Sequence, residues 1–213
     1  MPVLLRSRKP PYDAEKARRH IARRDPVMRG IVKGCGPDDL RLGGTPYQSL
    51  MRALLYQQLA GAAAAAIERR FLALYGGRPP EPPELLATKP EDLRAAGLSR
   101  QKSSYLYSLA EHFGGGHLTN RRLTRLDDEQ AIAEVTAIKG IGRWTADMLL
   151  LFCLGRPDVL PVGDFGVRKA MMLAYGLKEL PDPKTMERIG EPWRPYRSAA
   201  SWYLWRSLDM QTL

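Results

Sequence analysis

Residues 138–146, IKGIGRWTA, place two glycines two apart, Gly140 and Gly142, between isoleucines and ahead of a helix-forming apolar run. DDEQAIAEVTAI (127–138) reads as a helix leading into the turn, and WTADMLLLFCLG (144–155) as a helix leaving it. One glycine would suffice to cap a plain helical hairpin. A second, next to Arg143 and Trp144, points to something outside that must approach the backbone closely. Glycines permit such an approach, and the start of a helix favours an anion. Thr145 adds a hydroxyl in the first turn. Together Gly140, Gly142, Arg143 and Thr145 suit a grip on one phosphodiester that reads no base.

Composition agrees with a polyanionic partner. The 213 residues hold 33 Lys and Arg against 23 Asp and Glu, a formal net charge of +10, and a balance this basic favours nucleic acid. At 44% hydrophobic and 26% charged residues the chain is ordinary for a globular protein. Its two cysteines, Cys35 and Cys153, are far apart among apolar or glycine neighbours. They form no disulfide framework and no zinc spacing, and are too few for a four-cysteine iron–sulfur cluster. The N-terminus has a short apolar patch before its charges begin, which fits neither a signal peptide nor a membrane span. An intracellular, reduced setting in the cytoplasm is expected, with no membrane partner.

Along the chain, helix signals recur and strand alternation does not. Asp13 caps a basic stretch that Pro26 interrupts. Thr45 followed by Pro46 opens an apolar stretch of one or two helices that ends at Gly76 and Gly77. Two short helices, each opened by a proline and an acid, follow in 78–98, and Ser99 caps another. Residues 156–164, RPDVLPVGD, are too rich in Pro and Gly for a helix, and Asp164 is placed to cap the one that starts at Phe165. The periodicities and caps predict an all-α chain of about ten helices.

The order of these motifs resembles the helix-hairpin-helix (HhH-GPD) superfamily of DNA base-excision glycosylases, and within it the 3-methyladenine DNA glycosylase II (AlkA-like) branch. IKGIGRWTADMLL with GRPDVLPVGD is similar to that family's hairpin and Gly/Pro loop with aspartate. LLYQQLAGAAAAAIERRF (54–71), GLSRQKSSYLYSLA (97–110) and WRPYRSAASWYLWR (193–206) resemble its glutamine-bearing helix, its helix before the hairpin and its C-terminal helix. The likeness covers residues 45 to 206. It implies two helical lobes with a cleft between them and the hairpin at the cleft mouth, one lobe about 1–44 plus 165–213 and the other about 45–164. The best-known bacterial members carry an N-terminal β-rich domain, which some forty residues ahead of the match cannot supply.

The resemblance also assigns residues. Asp164 matches the family's essential aspartate, and an anion there would stabilise oxocarbenium character on the sugar as the N-glycosidic bond breaks. Trp144 and Trp205 match aromatic positions lining the base pocket, where indole faces suit cationic alkylated bases. Lyase-competent branches have a lysine at the position of Trp144; without that amine no Schiff base forms, so the enzyme is expected to be monofunctional. Gln57 and Gln58 match the stretch that plugs the duplex after base flipping, with Gln58 where the best-known member has a leucine. The carbonyls of Thr136, Ile138 and Ile141 fall where the family holds a monovalent cation, Na+ or K+; no other cofactor is expected. The expected partner is double-stranded DNA containing alkylated bases, met by a monomer. The alternatives are a non-catalytic helix-hairpin-helix DNA-binding protein and a bifunctional or oxidised-base glycosylase.

Overall fold

The structure, a computed structural model, describes residues 8–210. They divide into two compact units: Gly43–Leu149 forms unit 1, and the flanking segments 8–42 and 150–210 together form unit 2. Among the described residues there are thirteen α-helices rather than about ten, and no strand beyond one isolated bridge between Arg8 and Leu42.

Unit 2 begins with α1 (Ala14–Arg24) and α2 (Pro26–Cys35). Asp13 caps α1 through Lys16 N–H, as its position predicts. Asp25 ends α1 and caps α2, its Oδ1 accepting from Val27 N–H at 2.9 Å and Met28 N–H at 3.1 Å. Its Oδ2 accepts from Tyr175 Oη at 2.5 Å and Trp193 Nε1 at 2.9 Å. A buried carboxylate with four donors around it is well compensated for the water it has lost.

Unit 1 runs through α3 (Pro46–Tyr56), α4 (Gly61–Ala73), α5 (Pro82–Ala87), α6 (Pro90–Ala95), α7 (Arg100–Gly114), α8 (Asn120–Arg125), α9 (Asp128–Thr136) and α10 (Arg143–Leu149). Thr45 and Gln48 close a capping box at α3, and Ser99 caps α7. The long α7 packs against α3, α5 and α6, and Leu50, Leu54, Phe71, Leu85, Leu106 and Leu109 fill the space between helices. Each such fully buried side chain contributes about 1.5–3 kcal/mol relative to exposure.

Unit 2 resumes with a π-helical turn, Leu150–Leu154, then α11 (Phe165–Ala174), α12 (Pro183–Gly190), a 3-10 turn Glu191–Trp193 and α13 (Arg197–Met210). Its core holds Ile21, Met28, Met171, Met186, Trp193 and Tyr203. Residues 150–164 belong here, not to the lobe of 45–164 that the sequence reading drew. Their polar groups explain the difference. Asp158 is paired with Arg197 at 2.7 Å, Ser198 Oγ donates to Arg156 O and accepts from Val159 N–H, and Ser198 N–H donates to Pro157 O. The loop is thus tied to the start of α13. Among the described residues, no helix is long and apolar enough to cross a membrane.

Candidate functional site

In unit 1, α9 ends at Thr136 and the quoted turn carries the chain into α10. Its two glycines differ in purpose. Gly140 has φ +82°, and a Cβ there would run into the Tyr105 ring, so the fold itself demands glycine at that point. Gly142 has no positive φ, and a Cβ added to it would meet nothing within 4 Å. The fold therefore gives no reason for the second glycine. Gly142 O accepts from Ala146 N–H at 3.1 Å and so opens the ladder of α10, with the N–H groups of Gly142 and Arg143 ahead of it. Gly142, Arg143 and Trp144 are consecutive exposed residues at this mouth.

Two other expected contacts stand differently. Arg143 is held in a bidentate pair with Glu129 (2.8 and 3.1 Å) and donates to the buried Asp147 at 3.1 Å. Burial pushes the Asp147 carboxyl up, while the guanidinium acts against that rise. Arg143 thus joins α9 to α10, and two acids already compensate its charge. Thr145, also expected in the phosphate grip, is buried in the first turn of α10.

The glutamine pair sits in a break between α3 and α4 rather than on a helix. Gln57 caps α3, its backbone N–H donating to Ala53 O and its Nε2 donating to Gly140 O at 2.8 Å, which ties this loop to the hairpin. Gln58 has φ +57°, the one non-glycine residue with positive φ among the described residues, at a cost of about 1–2 kcal/mol. It is exposed, and so is its neighbour Leu59. A strained backbone that holds a polar and an apolar side chain outward is the kind of local cost that marks a functional loop.

In unit 2, Asp164 follows the Gly/Pro loop and caps α11, as its place in the sequence predicts. Its Oδ1 accepts from Val167 N–H at 2.8 Å and from Trp205 Nε1 at 2.8 Å. The carboxylate is 8% exposed. Trp205, half-buried on α13, stacks on Phe152 of the π-helical turn with ring centroids 5.6 Å apart. Gly166 makes the arrangement possible: a Cβ there would lie 2.9 Å from Trp205 Cδ1 and 3.1 Å from Asp164 Oδ1. The structure thus joins Asp164 to Trp205 and Gln57 to Gly140. Trp144 belongs to unit 1 and is 48% exposed.

The sequence matches the profile of the HhH-GPD superfamily base excision DNA repair proteins across residues 51–195. That span is more than half of the chain. The chain belongs to the HhH-GPD superfamily. It is 37% identical over 197 residues to DNA-3-methyladenine glycosylase 1 of Schizosaccharomyces pombe, covering 90% of this chain and 86% of that one. The solved structure of that 3-methyladenine DNA glycosylase in complex with abasic DNA superposes with a TM-score of 0.79 at 36% identity, covering 91% of this chain and 97% of the other. A DNA-3-methyladenine glycosidase from Bacillus halodurans gives a TM-score of 0.85 at 36% identity, covering 92% and 90%. The all-α reading is therefore that of the HhH-GPD fold.

Three residues around Asp164 and Trp205 carry no signal in the motifs of the sequence. Gly166 and Phe152 both meet Trp205, 39 and 53 positions further along, and neither belongs to a local pattern. Phe165, which follows Asp164 in sequence, is 65% exposed.

Proposed function

We propose that this protein is a monofunctional DNA glycosylase that removes alkylated bases from double-stranded DNA in base excision repair. One observation carries the assignment of chemistry: in an HhH-GPD chain, the aspartate after the Gly/Pro loop is buried and held by two donors on one oxygen. Breaking the N-glycosidic bond sends its electron pair to the departing base and leaves positive charge on the sugar. A fixed carboxylate stabilises that charge, and a water molecule it orients adds at the sugar carbon, the proton it loses ending on the departed base. Trp205 keeps the carboxylate in place, and the indole faces of Trp144 and Trp205 have the chemistry that suits an electron-poor base. Gly142 and its neighbouring amides grip a phosphate while Gln58 fills the gap left in the stack.

No amine stands at position 144, so the reaction ends at the abasic strand. Duplexes carrying a single 3-methyladenine, 7-methylguanine, hypoxanthine or ethenoadenine test this. At least one alkylated base should be released free, the strand should break only on later alkali or heat, and borohydride should trap no protein–DNA adduct. Release of oxidised bases alone, or a trapped adduct, would overturn the reading. The protein would act as a monomer in the cytoplasm, at the nucleoid where its substrate lies; light scattering checks the first part.

We further infer that the main-chain carbonyls of Thr136, Ile138 and Ile141 take a Na+ or K+ ion, with no other cofactor required. A set of neutral carbonyl oxygens suits a hard monovalent cation better than a thiophilic metal. Ile138 O accepts one hydrogen bond, from Ile141 N–H at 3.1 Å, and keeps a second lone pair. Duplex affinity should fall when K+ is replaced by tetramethylammonium at constant ionic strength. Unchanged affinity would remove the ion from the grip.

A further inference from the structure

Helix α7 presents three side chains at three-residue spacing, Lys102, Tyr105 and Ser108, which share one face of a helix. Each meets the backbone in or just before a loop that the proposed function uses. Ser108 Oγ accepts from Lys139 N–H at 3.3 Å, at the entry to the hairpin. The Tyr105 ring lies against Gly140, which admits no Cβ there. Lys102 Nζ donates to Leu55 O at 2.5 Å, in the last turn of α3 and two residues before Gln57. All three belong to unit 1. We propose that Lys102 is a positioning residue for base extrusion, holding the 57–59 loop in the strained form that presents Gln58.

The physics favours a specific clamp over a solvated surface lysine. The last carbonyls of a helix lack intrahelical donors and carry its negative end, so an ammonium there satisfies an acceptor and meets the dipole favourably. Burial lowers the Lys102 pKa, a sign that its charge is partly withdrawn from water. A long flexible side chain is ordered in this way only if the contact outweighs its rotamer entropy. The outcome is that α3 cannot add another turn or fray near Tyr56 without losing the clamp. The backbone cost at Gln58 is thereby borne by the loop's anchors: Lys102 at Leu55, and Gln57 at Gly140. Lys102 also lines, with Gln57, Gln58, Gln101 and Gly140, a cavity of about 260 Å³ beside the loop. It lies outside the described contacts of Asp164.

This inference rests on the wedge role given to Gln58, and the test separates the two. Single-turnover excision is measured on one lesion in two settings, a paired duplex and a bulge where the base is already unstacked and extrusion is cheap. Lys102→Met keeps the apolar stem and removes the donor. The paired rate should fall about tenfold and the bulge rate less than twofold, a loss of about 1.4 kcal/mol specific to extrusion. Lys102→Arg, which retains a charged donor and serves if the Met variant fails to fold, should recover part of the paired rate. In a Gln58→Ala background, Lys102→Met should add nothing, as expected when one residue acts through another. Equal losses on both substrates, or none on the paired one, would overturn the role of Lys102. If Gln58→Ala leaves the paired-to-bulge ratio unchanged, the wedge reading fails; if Lys102→Met still lowers that ratio in the Gln58→Ala background, the clamp does not act through Gln58.

Discussion

The two units use glycine in opposite ways at their functional ends. In unit 2, Gly166 is needed by the protein's own side chains, because a methyl group there would wedge between Trp205 and Asp164. In unit 1, Gly142 faces open space and answers to no neighbour, whereas Gly140 two residues earlier is packed on Tyr105. Under the proposed function the contrast separates chemistry from grip. The carboxylate must be held to a fraction of an ångström by its own unit, while the hairpin must leave room for a group the chain does not contain.

The contrast can be broken by substitution. Asp164→Asn keeps the oxygen that Val167 N–H and Trp205 Nε1 bond and removes the charge, so thermal stability and duplex binding should hold. Excision should drop by about 10³-fold or more, as when a transition-state charge loses its partner. Near wild-type turnover would leave Asp164 only a cap. Gly166→Ala should come next, with kcat down about 10²-fold and duplex affinity unchanged, because the carboxylate is displaced rather than lost. An effect on binding instead would mean that Gly166 serves the DNA and not Asp164.

The hairpin pair sharpens the other half. Gly140→Ala, forced against Tyr105 at positive φ, should cost roughly 1–3 kcal/mol of stability. Gly142→Ala should leave the melting temperature alone and weaken damaged and undamaged duplex equally, by about fivefold for roughly 1 kcal/mol of lost contact. Should Gly142→Ala melt early, or lose only lesion recognition, the open space at Gly142 has been misread. The affinity of the parent protein should also fall linearly in log[salt], with a slope near −0.9 for each phosphate neutralised.

Much of this was legible before any coordinates. Asp13, Thr45, Ser99 and Asp164 cap their helices as their positions suggest, because a cap is a local bargain between one side chain and the next turn's N–H groups. Helices α8 and α12 were not foreseen. The first buries only Leu123 and shows no apolar period; the second is eight residues long, and its one large apolar pair, Met186 and Ile189 three apart, is too short a pattern to stand alone, although Asp182 and Pro183 do signal its start. The break at Gln57–Ala60 has no proline and its only glycine comes after it, and the unit boundary at Leu149 runs through an unbroken apolar stretch. Both are decided by tertiary partners, Lys102 and Gly140 for the break and the start of α13 for the loop 156–159. The Asp164–Trp205 bond was out of reach for the same reason: it joins residues 41 positions apart.

Asp25 bears on how the chain is made. Its carboxylate waits for Tyr175 and Trp193, partners 150 and 168 positions further along. Among the described residues unit 1, Gly43–Leu149, is one continuous segment, and it can close while the remainder is still being synthesised. α1 and α2 have no such option. From the moment they leave the ribosome until Trp193 follows, α1 and α2 lack the core that covers Ile21 and Met28, and the unit that holds Asp164 is the last to be completed. A nascent chain halted before α12 should therefore resist protease across 43–149 and be cut readily through α1 and α2.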